Sequence, residues 1–307
     1  MNEGRIYRGR IAPTPSGLLH LGHAETFFET WRRARERGGT LVFRNEDIDR
    51  ARCKKEYARS AIEDLTELGL DWDEGGGKGG AYAPYDQSLR FDYYKTLLER
   101  LSALGLVYPS DTSRSEAAEF GKFPARRFGF APPEKIFPPK LRQNAAEISE
   151  VENPFARNWR FRVPDGEAVK FRDGRLGEQS FTAGEDFGDF LVWRRSGEPS
   201  YELAVVADDA AMRITEVVRG EDLLLSTARQ ILLYRALGFE IPDFFHCPLK
   251  LGGDGNKLSK SSMDKSASNK MLLRNLDQAE RAAFRLRVQA VRDALRLRDC
   301  GGSRAEL

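Results

Sequence analysis

The sequence has few cysteines, no long apolar run and almost no net charge, and each of these absences excludes a class of protein. The three cysteines, at positions 53, 247 and 300, are widely spaced and odd in number, so they form neither a disulfide framework nor a zinc-binding spacing. No apolar run approaches the roughly 20 residues that a membrane-spanning helix needs. The N-terminal MNEGRIYRGR lacks the apolar core of a signal peptide. We therefore expect reduced thiols in a cytoplasmic protein with no membrane partner.

The net charge is only +2, from 49 basic and 47 acidic residues, so it neither demands nor excludes a nucleic-acid partner. Local clusters of charge are more informative than the total. One basic cluster comprises Arg32, Arg33, Arg35 and Arg37, and another comprises Lys122, Arg126, Arg127, Lys135, Lys140 and Arg142. A solvated charged face explains either cluster equally well.

The first hundred residues alternate between strand and helix patterns. At 307 residues and 40% hydrophobic content, the chain can hold one large globular domain or two modest ones. Periodicity predicts strands at Ile6–Ala12 and Thr40–Arg44, and helices at 21–37, 54–69 and 88–105. This alternation favours an α/β fold with a doubly wound parallel sheet.

The stretch from Pro109 to about Arg160 is irregular and rich in proline, and we interpret it as an insertion into the sheet domain. Strand patterns follow at Trp159–Val163 and Phe190–Arg194. The alternation then resumes with Tyr201–Ala207 in the place of a strand, a helix at about 226–237 and a strand near His246–Leu251. The remaining chain is largely helical and rich in arginine.

The turn between the first strand and the first helix carries a chemical motif, Ala12-Pro-Thr-Pro-Ser-Gly-Leu-Leu-His-Leu-Gly-His23. Main-chain N–H groups and a helix N-terminus suit an anion such as phosphate, and Gly17 and Gly22 allow close approach of the backbone. His20 and His23 can donate hydrogen bonds to phosphate oxygens as negative charge develops. A metal pair is disfavoured because no third ligand lies nearby. Two ordinary histidines at a helix start remain the alternative for this segment alone.

A second motif, Gly252-Gly-Asp-Gly-Asn-Lys-Leu-Ser-Lys-Ser261, lies far downstream. Its glycines and small polar residues are typical of a mobile loop. Lys257 and Lys260, three residues apart, can neutralise a polyphosphate. Taken alone this is a weak indication, because basic surface loops are common.

Together the two motifs resemble the HIGH and KMSKS signatures of class I aminoacyl-tRNA synthetases, with Leu258 in the place of methionine. Further segments resemble the glutamyl branch of that class: Arg10–Gly17, Phe43–Arg50, Leu68–Glu74, Pro199–Asp209 and Val218–Asp222. The resemblance covers roughly residues 5–110 and 180–262. It implies a Rossmann-type catalytic domain in two halves, at 1–108 and 191–262. An acceptor-binding-like subdomain at 109–190 would be inserted between them, and a helical tail at 263–307 would follow.

The resemblance also implies roles for individual residues. Glutamate would contact Arg10, Ala12, Thr14, Glu46, Tyr201 and Arg219. ATP, with its Mg²⁺, would contact Pro13, Gly17, His20, Gly22, His23, Glu221 and Lys260. The catalytic residues would be His20, His23, Lys257 and Lys260.

These roles suit the chemistry of the side chains. Arg10 can hold a carboxylate through two parallel hydrogen bonds, and Glu46 can pair with the α-ammonium group of the substrate. Arg219 would bind the side-chain carboxylate, so glutamine would leave it without its full charge partner. The alternatives are a surface ion pair of Arg219 with Glu221 or Asp222, and a purely structural Glu46.

Only 46 residues follow Ser261, too few for the helical anticodon-binding region of a glutamyl-tRNA synthetase. In this the chain resembles the glutamyl-Q tRNA(Asp) synthetases, short paralogues that attach glutamate to queuosine in the tRNA(Asp) anticodon loop. The resemblance implies L-glutamate, ATP and queuosine-containing tRNA(Asp) as partners of a monomer. Charging of tRNA(Glu), transfer to another acceptor and a non-catalytic RNA-binding role remain open.

The chain departs from the short paralogues in two places. They commonly hold zinc through a Cys-x-Cys pair after Tyr-Pro or Tyr-Tyr, with a downstream Tyr and Cys. This sequence reads Tyr108-Pro-Ser110-Asp-Thr112, and hydroxyls are poor zinc ligands. We therefore predict no zinc, and expect other contacts, such as the Phe/Pro cluster at 123–139, to hold the insertion. Asn45 stands where isoleucine usually precedes the glutamate, with little functional change expected.

Overall fold

The computed structural model describes residues 6–124, 126, 134–249 and 272–302, which fall into two compact units. The first unit comprises residues 1–86, 215–219 and 247–307, and the second comprises residues 87–214 and 220–246. None of the helices in the described ranges is long and apolar enough to cross a membrane.

The described elements are short strands and seven α-helices. The strands are β1 (Arg8–Ile11), β2 (Thr40–Phe43), β3 (Glu74–Gly75), β4 (Val107–Pro109), β5 (Trp159–Phe161), β6 (Ala168–Asp173), β7 (Gly177–Thr182), β8 (Phe190–Arg194), β9 (Glu198–Pro199), β10 (Glu216–Gly220) and β11 (Asp243–Cys247). The helices are α1 (Leu21–Glu36), α2 (Lys55–Glu67), α3 (Phe91–Ala103), α4 (Arg114–Phe120), α5 (Tyr201–Ala211), α6 (Leu224–Ala236) and α7 (Gln278–Gly302).

The first unit contains a parallel sheet in the order β1-β2-β3. Arg10 of β1 is in register with Val42 of β2, which is in turn in register with Glu74 of β3. Helix α1 connects the first two strands and α2 connects the second to the third. The α/β class with a parallel sheet, predicted from the alternating periodicity, is confirmed.

The core of the first unit includes residues from the C-terminal helix. Helix α1 buries Phe28 and Trp31, three positions apart on one face. Helix α7 buries Phe284 and Val288 in the same cluster, and the ring of Phe284 meets that of Phe28 edge-on at 5.6 Å. The tail is therefore part of the first unit's core, which agrees with its predicted helical character.

The strands of the second unit are mainly antiparallel, and they are accompanied by α3, α4, α5 and α6. One sheet has the order β4-β5-β8-β9, and β6 and β7 form a hairpin in which Ala168 faces Thr182. β11 joins β6 in parallel at Phe244 and Asp173. The hairpin was absent from the periodicity-based prediction. Its three-residue turn ends at Gly177 with φ of +73°, a local pattern that could have indicated it.

Two sequence-based expectations for this part of the chain need correction. Tyr201–Ala207, predicted as a strand, is part of α5, which begins after Ser200 with its hydroxyl accepting a hydrogen bond from the Leu203 N–H (3.3 Å). Eight of its 11 residues are buried, so the run lacks the polar face that marks most helices. The irregular stretch after Pro109 also contains the short helix α4, capped in the same way by Ser113.

Candidate active site

The turns that follow β1 and β2 are held side by side at the carboxyl edge of the parallel sheet. Beyond the strand ends, the Arg44 N–H donates to Ile11 O (2.9 Å) and the Glu46 N–H donates to Pro13 O (3.0 Å). Parallel α/β sheets bind ligands at this edge. The arrangement therefore brings the backbone of the first motif next to Glu46.

The Glu46 carboxylate is fixed by a neighbouring arginine. Arg44 Nη2 donates to Glu46 Oε1 at 2.9 Å, and the side chains are 0% and 7% exposed, respectively. Arg44 was not among the residues singled out from the sequence. Residues two apart on an extended chain share a face, so the spacing could have indicated the pair. The buried ion pair orients a carboxylate without leaving its charge uncompensated.

Arg10 lies on β1 and is tied to the strand that carries Arg219. Arg10 Nη1 donates to Val218 O at 2.9 Å, and Arg10 and Arg219 are each 4% exposed. A side chain buried to this degree is not in the environment of a surface ion pair, which was the alternative for Arg219. The first unit thus places Arg10, Arg219 and Glu46, all buried, around the ends of β1, β2 and β10.

Strand β10 is anchored by Glu216, a residue that the sequence analysis missed. The Glu216 carboxylate accepts hydrogen bonds from Tyr7 OH (2.7 Å) and Arg33 Nε (2.8 Å). Burial acts to raise the pKa of Glu216, but the hydrogen bonds from Arg33 and Tyr7 outweigh it and hold the pKa below its usual value. The ionised Glu216 therefore joins β10 to α1 and to the residue preceding β1.

The two histidines of the first motif form a stacked pair at the start of α1. His20 caps the helix, its main-chain N–H donates to His23 Nδ1 (3.2 Å), and the ring centres are 3.7 Å apart. In neutral His23, the accepting Nδ1 leaves the proton on Nε2, which can donate to an oxygen. The pair lies where the helix dipole also favours an anion.

The remaining predicted residues of the first motif adopt varied exposures. Pro13 is buried, Ala12, Gly17 and Gly22 are half-buried, and Thr14 is exposed. The structure therefore gathers ten predicted site residues in the first unit: Arg10, Ala12, Pro13, Thr14, Gly17, His20, Gly22, His23, Glu46 and Arg219.

The other four predicted site residues are not part of this set. Tyr201 is the half-buried first residue of α5 in the second unit, and Glu221 forms an ion pair with Arg175 in that unit. Lys257 and Lys260 lie outside the described residues, as does the rest of the second motif.

The residues at the position where the short paralogues commonly hold zinc do not fit a metal ion. Ser110 is buried, and its hydroxyl accepts a hydrogen bond from Arg160 Nε at 3.3 Å. The same guanidinium donates to Asp189 O (3.1 Å) and lies 3.9 Å from the centre of the Phe137 ring. The Ser110 hydroxyl is a poor metal ligand, and the positive charge of the Arg160 guanidinium beside it would repel a metal ion. Within the described ranges, no cluster of three His, Cys, Asp or Glu residues could hold a metal ion.

Asp189 joins separate stretches of the second unit. Its carboxylate accepts from Tyr108 OH (2.6 Å), Arg142 Nε (2.8 Å) and the Val163 N–H (3.0 Å). These donors come from three separate stretches of the second unit. The Phe/Pro cluster was expected to hold the insertion. Within this cluster Phe137 is buried, whereas Phe123 is 57% exposed.

A side pocket of about 450 Å³ lies in the first unit between α2 and the chain before Asp86. Asn45 lines it and donates through Nδ2 to Asp86 Oδ1 at 2.6 Å. Asn45 is one of the two departures from the family pattern, and it is thus part of a polar contact that isoleucine could not make.

Comparison with known proteins assigns the chain to a family. The family described as "tRNA synthetases class I (E and Q), catalytic domain" matches residues 7–290. The chain is 46% identical over 254 residues to a glutamyl-Q tRNA(Asp) synthetase of Symbiobacterium thermophilum, covering 82% of this chain and 77% of that protein. It is 43% identical over 257 residues to a protein of the same name from Nitratidesulfovibrio vulgaris, covering 83% and 78%, respectively.

A solved structure shares the fold. The crystal structure of a glutamate tRNA ligase from Elizabethkingia meningosepticum, in complex with its amino acid, matches with a TM-score of 0.70 and 29% identity. The match covers 87% of this chain and 53% of that one. The resemblance inferred from the HIGH- and KMSKS-like motifs is confirmed: the chain belongs to the class I tRNA synthetases of the glutamyl and glutaminyl type, a family of ligases.

Proposed function

We propose that the chain activates L-glutamate with Mg²⁺-ATP and transfers it to the queuosine base in the anticodon loop of tRNA(Asp). The observation that carries the proposal is the set of buried charges Arg10, Arg219 and Glu46, which are 4%, 4% and 7% exposed. Glutamate offers two carboxylates and one ammonium group. Two arginines and one carboxylate complement these charges, and charged groups enter a buried site only when they are matched in this way.

In the proposed pocket, each charge of the substrate meets one fixed side chain. Arg10 holds the α-carboxylate and is itself oriented by Val218 O. Glu46, held by Arg44, receives the α-ammonium group. Arg219 binds the side-chain carboxylate, and because it is buried, it discriminates against the neutral amide of glutamine. The family resemblance implies that Tyr201 contacts glutamate and that Glu221 contacts ATP, and both roles are kept in the proposal.

The proposed reaction is an in-line displacement at the α-phosphate of ATP. An oxygen of the substrate α-carboxylate forms a bond to phosphorus, the bond to the bridging oxygen breaks, and pyrophosphate leaves with its electron pair. His20 and His23 donate hydrogen bonds to the phosphate oxygens as charge accumulates. Lys257 and Lys260 neutralise the leaving pyrophosphate together with Mg²⁺. The hydroxyl of the RNA acceptor then attacks the activated carboxyl, and AMP leaves.

The choice of acceptor rests on the relatives. The two synthetases at 46% and 43% identity are named for tRNA(Asp), and this chain covers 77% and 78% of them. It covers 53% of the glutamate tRNA ligase of known structure. The names of these two relatives support the queuosine-directed reaction over the charging of tRNA(Glu).

Two assays in sequence test the proposal. Glutamate-dependent ATP–pyrophosphate exchange, with glutamine as the comparison, measures activation alone. Glutamylation is then measured by mass analysis with tRNA(Asp) that contains queuosine, tRNA(Asp) that lacks it, and tRNA(Glu). We expect exchange with glutamate and an ester on queuosine-containing tRNA(Asp) only. Charging of tRNA(Glu) would contradict the acceptor, and a complete lack of exchange would leave an RNA-binding protein.

A further inference from the structure

Two phenylalanine rings on the second unit each lie under a lysine ammonium group at the surface. Phe120, the last residue of α4, is 41% exposed, and Phe123 is 57% exposed. Lys140 Nζ lies 3.2 Å from the centre of the Phe120 ring, and Lys135 Nζ lies 5.4 Å from that of Phe123. Among the described residues, these are the only large apolar side chains of aromatic type that are exposed. We call these four residues the Phe/Lys surface.

The backbone beneath the Phe/Lys surface is closely packed. The Ile136 N–H donates to Lys122 O at 2.8 Å, which joins the two segments that carry the rings and the lysines. A Cβ at Gly121 would lie 2.7 Å from Ala117 O and 2.8 Å from Ile136 O, so only glycine fits there. The Lys135 ammonium group also donates to Ala118 O. The backbone segments that carry the rings and the lysines are thus held together, so a ligand need not order this backbone on binding.

Positive charge is concentrated in the stretch of sequence that carries these rings. The sequence from 113 to 142 contains seven basic and three acidic residues, a net charge of +4, whereas the whole chain carries +2. The rest of the chain is therefore net negative. Arg126 and Arg142 are paired with Asp186 and Asp189. No carboxylate lies within ion-pair distance of Lys135 or Lys140 in the described part of the chain, so their charge is available to an anionic ligand.

We propose that the Phe/Lys surface binds unpaired nucleotides of RNA, with bases stacked on Phe120 and Phe123 and phosphates at Lys135 and Lys140. Exposed aromatic rings interleaved with cations are the common means of holding single-stranded nucleic acid, because every base has a flat face and every linkage a negative charge. An acidic peptide would match the lysines but would leave the two rings without flat partners. The inference rests on the proposed function, in which the substrate is the loop of a tRNA.

The direct test measures RNA affinity after the rings are removed. The probe is a fluorescein-labelled anticodon stem-loop of tRNA(Asp), followed by anisotropy, with the variant Phe120→Ala/Phe123→Ala. Stacking of one base on one ring corresponds to about a 5- to 150-fold effect, so we expect at least about a 10-fold loss of affinity. Phe120→Trp/Phe123→Trp should retain binding. Leu104→Ala, which removes a 51% exposed side chain of the same unit, is the matched control and should have no effect.

A second probe separates stacking from general loss of affinity. The same stem-loop is made with abasic loop positions, which keep the phosphates but remove the flat rings. Wild type should bind the abasic probe as weakly as Phe120→Ala/Phe123→Ala binds the intact one. The stacking proposal is overturned if Phe120→Ala/Phe123→Ala loses as much affinity for the abasic loop as for the intact loop. It is also overturned if the variant loses affinity for neither loop.

The lysines and the class of partner are tested by salt and by competition. Lys135→Gln/Lys140→Gln should reduce the slope of log affinity against log salt concentration by about 1.4, since each phosphate contact to a single strand contributes about 0.7. Unlabelled single-stranded RNA should displace the probe, and polyglutamate of equal charge should not. Equal displacement by polyglutamate would assign the surface to an acidic protein and overturn the RNA proposal.

Activation without RNA distinguishes this inference from the proposed function. Phe120→Ala/Phe123→Ala should show unchanged ATP–pyrophosphate exchange, because no residue of the Phe/Lys surface belongs to the proposed glutamate pocket. Absence of exchange in the wild type would sink the proposed function and leave the binding result standing. Normal exchange and glutamylation with unchanged RNA affinity would sink the Phe/Lys surface alone.

Discussion

Two buried carboxylates, one in each unit, each accept hydrogen bonds from one tyrosine and one arginine. Glu216 accepts from Tyr7 OH (2.7 Å) and Arg33 Nε (2.8 Å), and Asp189 accepts from Tyr108 OH (2.6 Å) and Arg142 Nε (2.8 Å). In both places, the pKa of the tyrosine is raised above its ordinary value. Burial is the larger cause, and the negative charge of the neighbouring carboxylate is the second. The local chemistry of the two clusters is thus nearly the same.

The clusters differ in what they hold. Glu216 lies three residues before Arg219, on the strand whose Val218 carbonyl accepts from Arg10, so it supports the proposed glutamate pocket. Asp189 forms no hydrogen bond or ion pair with those predicted site residues that the structure describes, and it also accepts from the main chain at Val163. The same kind of cluster therefore supports the side chains of the proposed glutamate pocket in one unit and joins three separate stretches of chain in the other. Changes at Glu216 should appear in kinetics, and changes at Asp189 should appear in stability.

The largest effect should follow from Asp189→Ala. The change leaves the buried Tyr108 OH without its acceptor and leaves Arg142 with only the more exposed Asp165. Removing one partner of a buried ion pair costs about 3–5 kcal/mol. We expect a large fall in the free energy of unfolding, measured by denaturant titration. Asp165→Ala, which removes the more exposed partner of Arg142, should cost much less. Equal costs for the two variants would show that Asp189 is not the centre of the cluster.

A smaller loss of stability with a clear kinetic effect is expected for Glu216→Gln. Hydrogen bonds to a charged group contribute about 1.5–3 kcal/mol, and the amide retains part of them. Because β10 carries Arg219, we also expect KM for glutamate in the exchange assay to rise by about tenfold, with KM for ATP little changed. An equal rise in both KM values, or in neither, would contradict a positioning role for Glu216.

The pH dependence of Glu216→Gln sharpens the same point. The folded protein holds the pKa of Glu216 below its unfolded value, so its contribution to stability is fully present above the unfolded pKa. That contribution is lost as the pH falls through the folded pKa. Unfolding free energies measured from neutral pH into the acid range should converge for wild type and Glu216→Gln as the pH falls. A constant difference across that range would mean that the charge of Glu216 is not what stabilises β10.

The next effect is smaller and compares the two clusters directly. Tyr7→Phe and Tyr108→Phe each remove one hydroxyl that donates to a buried carboxylate. Each should cost about 1.5 kcal/mol of stability, the lower end of the range for a hydrogen bond to a charged group. The stability changes should therefore be similar, but only Tyr7→Phe should raise KM for glutamate. A kinetic effect of Tyr108→Phe would show that the two clusters are not separate in function.

Local elements of the fold followed from the sequence, whereas these clusters did not. The parallel strands β1 and β2 and the helix α1 have clear periodicities, and Arg10, Glu46 and Arg219 lie within family motifs. Tyr7 and Glu216 are 209 positions apart, and Tyr108 and Asp189 are 81 apart. No local pattern reports a contact over such separations. The prediction of a strand at Tyr201–Ala207 was wrong for a related reason. Tertiary contacts bury nearly all sides of α5, so its sequence lacks the alternation of apolar and polar residues that marks a helix.

The smallest expected effect concerns metal removal, and it bears on why the Asp189 cluster exists. With Arg160 against Ser110 and Phe137, the second unit already contains a half-buried cation at the place where the short paralogues commonly hold zinc. Incubation with a zinc chelator should leave the unfolding midpoint unchanged, and elemental analysis should find far less than one zinc per chain. Arg160→Met keeps the length of the side chain but removes the charge, and it should lower the midpoint in the presence or absence of chelator. Stoichiometric zinc, with a midpoint that falls on chelation, would mean that hydrogen bonds do not replace the metal in this chain.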